Sequence, residues 1–390
     1  MPADAPSVPP PPQAVIGNRL LAAARESLGA ALPSYLAARA LVLGALALAR
    51  YMITYLHVTD DGIVSRVHSG LLGWDAAFYR DIAIHGYGAL PPGSLRFFPL
   101  TPIAARVIAG IPGVGGGAAL LIFTNAAALV AAALTYRLVL NETGDEPTAR
   151  RATFLVNMAP PAFVMVMGYA EPLLLVATAW AFISLRSRSW RSAALAGVVA
   201  GLTRPVGVLL AVPACIEALR AWRGCSAAER ADRVAAVLGP VAGFTAYLGW
   251  TQITKGGFLE PLREQLTSEQ RGGLADPFVT FFRDARNLVD GTHIGSGLHA
   301  TWVLAFLALL VVAFRVLPAS YGAYGAVTLL VAFSSSNLDS LERYGFSALV
   351  FVVAVAVVAR RERAFWIVAA VSAAGLVGYS LLAFMNAYVP

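Results

Sequence analysis

The residues best placed to do chemistry lie in one run, Gly73-Trp74-Asp75-Ala76-Ala77-Phe78-Tyr79-Arg80-Asp81-Ile82-Ala83-Ile84-His85-Gly86-Tyr87. It gathers two carboxylates, an arginine, a histidine and several aromatics in a chain of which only 13% is charged. Asp75 is the first candidate. A carboxylate beside an apolar surface has its charged form disfavoured, so its pKa is expected to rise, which suits a general base toward a hydroxyl. The competing reading is a carboxylate at the first turn of a surface helix. Arg80, His85 and Arg96 can hold an anion, or can simply face lipid headgroups.

Four other places carry polar groups beside apolar segments. Asp60-Asp61 can bind a divalent cation or steer an acceptor, or can form a solvated turn into Gly62. Glu171, in Met167-Gly168-Tyr169-Ala170-Glu171-Pro172, is costly next to a membrane unless paired or used. It also suits a helix start. Leu202-Thr203-Arg204-Pro205 breaks one hydrophobic run in two. An arginine there, just before a helix N-terminus, can face a phosphate or snorkel to the interface. The polar turn Ser334–Tyr344 ends in Arg343 and Tyr344, which can reach the same anion or anchor a span end. The chain has no Walker loop, no Gly-rich dinucleotide turn, no Gly-x-Ser-x-Gly elbow and no His-Glu-x-x-His. Its two cysteines, Cys215 and Cys225, make no disulfide framework or metal spacing.

These residues need a scaffold, and the composition says which kind. Hydrophobic residues make up 58% of the chain. Runs of about 20 apolar residues recur, so an all-α polytopic membrane protein is expected. The net charge of +7 comes from Arg, with Lys255 the only lysine. Arg in cytoplasmic loops explains it better than nucleic acid does.

The Pro-rich start and N-terminal segment, 1–34, reads as disordered and cytoplasmic, and 35–390 as one membrane domain. Crossings are expected near Tyr35–Leu56, Gly117–Leu138, Ala152–Gly168, Pro172–Leu185, Ser192–Thr203, Val206–Leu219, Val234–Ile253, Leu298–Phe314, Tyr321–Ser334, Tyr344–Val358 and Ala364–Ala387. A first outer loop covers 57–116. In it, Trp74, Phe78 and Ile82 recur at four-residue spacing, which predicts an amphipathic interfacial helix. Phe97–Ile111 reaches only about 22 Å as a helix, so it reads as interfacial or re-entrant. A second long loop, 254–297, reads as surface-hugging. Arg137, Arg150, Arg151, Arg186, Arg191, Arg220, Arg233, Arg315 and Arg360 then fall in inner loops. All five histidines (His57, His68, His85, His293, His299) and the candidate site residues fall on the outer face.

An ordered set of short motifs now carries a resemblance. Trp74-Asp75 with Phe78-Tyr79, Ile82-Ala83 and Gly86-Tyr87, then Phe97-Phe98-Pro99-Leu100-x-Pro102, resembles the PIG-V family of mannosyltransferases. Tyr169-Ala170-Glu171 is similar to that family's Tyr-Thr-Glu turn, Leu202-Thr203-Arg204-Pro205-x-Gly207 to its Thr-Arg motif, and Arg343-Tyr344 to its late Arg-Tyr.

The resemblance implies the GT-C glycosyltransferase fold. It also implies an inverting transfer of a sugar, usually mannose, from a polyprenyl-phosphate donor to a glycolipid, glycan or protein acceptor. Asp75 would be the base. Arg204, Arg343, Arg96 and His85 would meet the donor phosphate, and Trp74, Tyr79, Glu171 and Tyr344 would contact substrate. No cofactor is required by this reading; a divalent metal would fall to Asp60 or Asp61. The Arg-rich, Lys-poor composition points to a bacterial plasma membrane, with the site on its outer side. A transporter or flippase is the alternative from another class, and a non-catalytic membrane partner a third. A transporter would place charge at mid-membrane on interrupted helices.

Overall fold

The computed structural model describes residues 12–267, 272–291 and 294–389. A chain this apolar must satisfy its backbone internally, and helices do so within one segment. Among the described residues the only β-pairing is an isolated bridge between Leu274 and Ser335. The helices are α1 (Pro12–Tyr55), α2 (Asp61–Ser69), α3 (Asp75–His85), α4 (Leu100–Ala109), α5 (Gly116–Thr143) and α6 (Glu146–Met158). Next come α7 (Glu171–Arg186), α8 (Trp190–Thr203), α9 (Ala211–Leu219), α10 (Ala227–Lys255), α11 (Glu260–Gln265) and α12 (Pro277–Asp290). The chain closes with α13 (Ile294–Val316), α14 (Ala319–Phe333), α15 (Leu341–Ser347), α16 (Val350–Val358) and α17 (Glu362–Phe384).

Five described helices (α1, α5, α10, α13 and α17) are long and apolar enough to cross a membrane. The pair α15 and α16, bent by 75° at its break, makes a sixth if read as one span. The protein is therefore an integral membrane protein. Other expected crossings fall on shorter helices, such as α8 with 14 residues and α14 with 15. Helix α1 starts at Pro12, well before the expected span start at Tyr35, so the predicted cytoplasmic segment is helical from there on. Residues 1–11 and His293 lie outside the described residues.

The first long loop is built as expected, from short helices. With its 10 residues, α4 reaches only about 15 Å, half a lipid core. It packs on α3 and α5. Arg106 on α4 donates to the carbonyls of Ala83, Ile82 and Ile84, capping the C-terminal end of α3. The face that α3 buries differs from the predicted one. It consists of Ala76, Tyr79, Ile82 and Ala83, while Phe78 is half-buried and Trp74 precedes the helix. Ile82 belongs to both faces, whereas the two aromatics of the expected stripe, Trp74 and Phe78, are only partly buried.

Helices α8 and α10 meet backbone to backbone. Gly197 and Gly201 on α8 face Gly239 and Gly243 on α10, each pair spaced by four residues. Side chains this small let membrane helices approach without a hydrophobic driving force. A Cβ on Gly201 would stand 2.3 Å from the Pro240 carbonyl oxygen, and one on Gly243 would stand 2.2 Å from that of Val198.

Polar pairs gather at two ends of the bundle. At one end Arg186 pairs with Glu142 and Glu217, and Arg151 donates to the Arg360 carbonyl. At the other, Arg204 pairs with Glu171 and Arg343 with Asp75. Helix α7 runs from Glu171 to Arg186, so its 16 residues hold the two ends about 24 Å apart. Arg151, Arg186 and Arg360, three of the arginines expected in inner loops, thus lie at the end opposite the candidate site.

The glycine contact yields a direct prediction. Gly201→Leu has only backbone to push against, so it should cost at least about 2 kcal/mol. A lower thermal unfolding midpoint in detergent is the expected result. An unchanged midpoint would mean the helices can part freely.

Candidate active site

Asp75 stands at the first position of α3, where a helix N-terminus favours negative charge. The residue before it, Trp74, has φ 57°, a conformation uncommon for a non-glycine residue. Two contacts hold Trp74 there. Its indole N–H donates to the Ala383 carbonyl on α17 at 3.0 Å, and the Arg66 guanidinium lies 3.6 Å over its ring. The strained corner turns the Asp75 carboxylate toward the end of the bundle.

Three more segments meet it there. Pro205 disfavours helical backbone in the residue before it, so α8 stops at Thr203 and Arg204 is extended, φ −154° and ψ 153°. Pro172 suits the first turn of α7 and leaves Glu171 at its start. Ser340, at φ 65°, turns the chain into α15 and aims Arg343 inward. The two strained non-glycine residues thus each open a short helix that carries one member of the site.

The charges form a ladder. Arg343 Nη1 donates to Asp75 Oδ2 at 2.8 Å, and Nη2 to Ser340 Oγ at 3.0 Å. The same Nη1 lies 3.4 Å from Glu171 Oε1, which also takes the Arg204 guanidinium. Glu171 is fully buried. Tyr169, also buried, packs its ring 5.1 Å from the Arg343 guanidinium.

A cavity of about 500 Å³ opens on this ladder. Four arginines line it, Arg66, Arg96, Arg204 and Arg343, against two carboxylates, Asp75 and Asp339. Trp74, Tyr79 and Tyr344 line it as well. Arg96 stacks on Phe78 and Phe97, at 5.1 and 4.7 Å, and makes no ion pair with a carboxylate among the described residues. Arg66, whose guanidinium lies over the Trp74 ring, likewise makes no ion pair among the described residues.

Of the residues singled out in the sequence, Asp75, Arg204, Arg343, Arg96, Trp74, Tyr79 and Tyr344 come together. Three placements are corrected. His85 is exposed at the far end of α3, about 15 Å along the helix from Asp75, and does not line the cavity. Glu171 lies behind the arginines as their counter-charge and does not face the space. Asp60 caps α2 by accepting from the Ile63 N–H, and neither it nor Asp61 reaches the cavity. Among the described residues no cluster of three His, Cys, Asp or Glu side chains is placed to hold a metal ion. Arg66, Gln265 and the lining role of Asp339 were not read from sequence. The one available signal for Arg66 is a cation on a short helix just before Trp74.

The expected rise in the Asp75 pKa is also corrected. Burial does push it up, but Arg343, Arg96 and Arg204, with the hydrogen bond from Arg343, outweigh burial and hold it below the usual 3.8. Asp75 is therefore an ionised, weakly basic carboxylate.

No family model matches the sequence, and no curated protein matches it significantly. At a TM-score of 0.41 the chain is similar to solved structures of the oligosaccharyltransferase of Archaeoglobus fulgidus. One, in complex with zinc and sulfate, is 13% identical and is matched over 80% of this chain and 49% of that one. Another, AglB with an inhibitory peptide and a dolichol-phosphate, is 14% identical over 80% and 52%. A third, tethered with an acceptor peptide containing the NVT sequon via a disulfide bond, is 12% identical over 90% and 56%. The chain spans about half the length of these structures. The likeness is loose, and the functional reading stands on the residues themselves.

Removing the central counter-charge tests the ladder. Glu171→Ala leaves the largely buried Arg204 without its carboxylate and Arg343 with Asp75 alone, and should cost about 3 kcal/mol. Thermal unfolding should show it as a lowered midpoint, with the double variant Glu171→Ala/Arg204→Met recovering part of the loss. A single variant as stable as the parent would show that the ladder carries little weight.

Proposed function

We propose that the protein is an inverting glycosyltransferase of the GT-C type. It moves a sugar, mannose in this reading, from a polyprenyl-phosphate donor to an acceptor hydroxyl on the outer face of a bacterial plasma membrane. The observation that carries the reading is the juxtaposition of the Asp75 carboxylate with four guanidinium groups around a single cavity at a bundle end. The ordered motifs that resemble the PIG-V family run through the same residues and support the choice of sugar donor.

The residues divide the work as follows. The acceptor O–H bond breaks and its oxygen bonds to the sugar's anomeric carbon. The bond from that carbon to the phosphate oxygen breaks, and polyprenyl phosphate leaves as an anion. Asp75 takes the proton. Its Oδ2 is held by Arg343, which leaves Oδ1 for the hydroxyl. A weakly basic carboxylate receives the proton late, once the new C–O bond has made the oxygen acidic. Stabilising the departing phosphate then matters most.

Arg204 and Arg343 are already neutralised by Glu171 and Asp75. Among the described residues Arg96 and Arg66 make no ion pair with a carboxylate, so they are the first contacts for the phosphate. Beside the cavity an apolar groove of about 300 Å³, lined by Ile82, Tyr87, Ile103, Tyr247 and Trp250, fits part of a prenyl chain. The same α3 helix lines both spaces.

The test is sugar transfer from a short-chain polyprenyl-phosphate-mannose by purified protein in detergent. Asp75→Asn should lower the rate by about 10²–10⁴-fold with the fold intact. Arg96→Ala should raise the donor KM more than it lowers kcat. Full transfer by Asp75→Asn would sink the base assignment.

The pH profile gives a second check. A depressed pKa keeps Asp75 ionised down to below pH 3.8, so the acid limb should fall below that value. Arg343→Gln removes the largest depressing charge and should move the limb upward.

A further inference from the structure

The polar cavity and the apolar groove beside it share a wall, and that wall carries Arg96. Arg96 ends a short 3-10 turn, Pro92–Arg96, and Phe97 after it is extended, φ −91° and ψ 114°. Both residues line the cavity. The backbone carbonyls on either side of Arg96 are each held by a tyrosine. The Tyr247 hydroxyl, on α10, donates to the Leu95 carbonyl at 2.8 Å in a buried bond. The Tyr87 hydroxyl, just past α3, donates to the Phe97 carbonyl at 2.6 Å.

These two tyrosines also line the groove. Their ring centroids are 5.8 Å apart, and Trp250 packs on both, 5.2 Å from Tyr87 and 5.7 Å from Tyr247. Tyr247 is buried and Tyr87 half-buried. On the cavity side the Arg96 guanidinium lies on the Phe97 ring, which stacks on Phe78 at 4.7 Å. Holding the Phe97 backbone therefore fixes both the root of Arg96 and the ring on which its head rests. A hydrocarbon chain in the groove packs on the Tyr87 and Tyr247 rings and restricts them, and their hydroxyls with them. A cation ordered in advance binds an anion at a lower entropic cost.

We propose that Tyr87 and Tyr247 are positioning residues for Arg96, and that through them groove and cavity recognise a prenyl chain and its phosphate as one ligand. This rests on the glycosyltransferase reading and says how its donor is selected. The Arg96 contact reaches full strength only when a prenyl chain fills the groove. A water-soluble sugar phosphate carries the same anion but leaves the tyrosines unpinned. By linkage, the phosphate strengthens binding of the chain by the same factor.

The experiment measures dissociation constants of geranylgeranyl phosphate and dimethylallyl phosphate on the purified full chain in one detergent. The second probe has a single isoprene unit and fills little of the groove. Arg96→Ala should weaken geranylgeranyl phosphate about tenfold and dimethylallyl phosphate no more than about twofold. Tyr247→Phe keeps the ring and removes the hydroxyl. It should weaken geranylgeranyl phosphate about fivefold.

Combining variants separates positioning from support of the groove wall. The loss from Tyr247→Phe should vanish in the Arg96→Ala background and persist in Arg66→Ala, because Arg66 rests on Trp74 instead. A merely structural tyrosine predicts the same loss in both backgrounds. Tyr87→Phe should repeat the pattern and replaces Tyr247→Phe if that variant does not melt cooperatively. An undiminished loss in Arg96→Ala, an equal effect of Arg96→Ala on both probes, or no binding of geranylgeranyl phosphate by the wild type would overturn the proposal. None of these readouts needs sugar transfer. Wild-type protein that shows the pattern yet passes mannose to neither acceptor nor water would uphold the coupling and overturn the glycosyltransferase reading alone.

Discussion

Everything at the site depends on one alternation of charge, Arg204–Glu171–Arg343–Asp75, buried at Glu171 and Arg343 and open to the cavity at its two ends. Four segments distant in sequence contribute one residue each: the break after α8, the start of α7, the first turn of α15 and the first turn of α3. Each charge is tolerable in this apolar bundle only because the next one is present. The ladder therefore fixes where those helix ends lie relative to one another. It also sets the chemistry. Arg343 is the largest of the charges that hold the Asp75 pKa below its ordinary value, and with Glu171 engaged by Arg204 and Arg343, Arg96 and Arg66 remain as cavity cations that make no ion pair among the described residues.

Much of this was legible in the chain. Long apolar runs mark α1, α5, α10, α13 and α17, because hydropathy over some twenty residues is a local property. Proline marks the breaks that expose Glu171 and Arg204, because its effect on the preceding residue is local too. The clustering of Asp75, Arg204 and Arg343 followed from placing rare charges at span ends.

What stayed hidden was pairing. Glu171 looked like a substrate contact until two guanidinium groups were seen to surround it. The Asp75 pKa was assigned the wrong direction because the burial penalty can be read from neighbours in sequence, while the opposing arginines cannot. His85 looked like part of the site because it shares a short polar run with Asp75. Helical rise carries it away.

The bundle end is closed by α17 and the residues just after it. Trp74 bonds to Ala383, Glu342 to Tyr388, and Val389 lines the cavity. During synthesis Asp75 enters the membrane long before Arg343, 268 residues later, exists to meet it. Until then α2 and α3 must rest among lipid headgroups, their charges solvated by water. The cavity forms only after Arg343, Tyr344 and Val389 have been made. A molecule whose spans are all inserted but whose distant charges have not met holds the apolar bundle without this lined cavity, so quality control that monitors only membrane insertion would pass it.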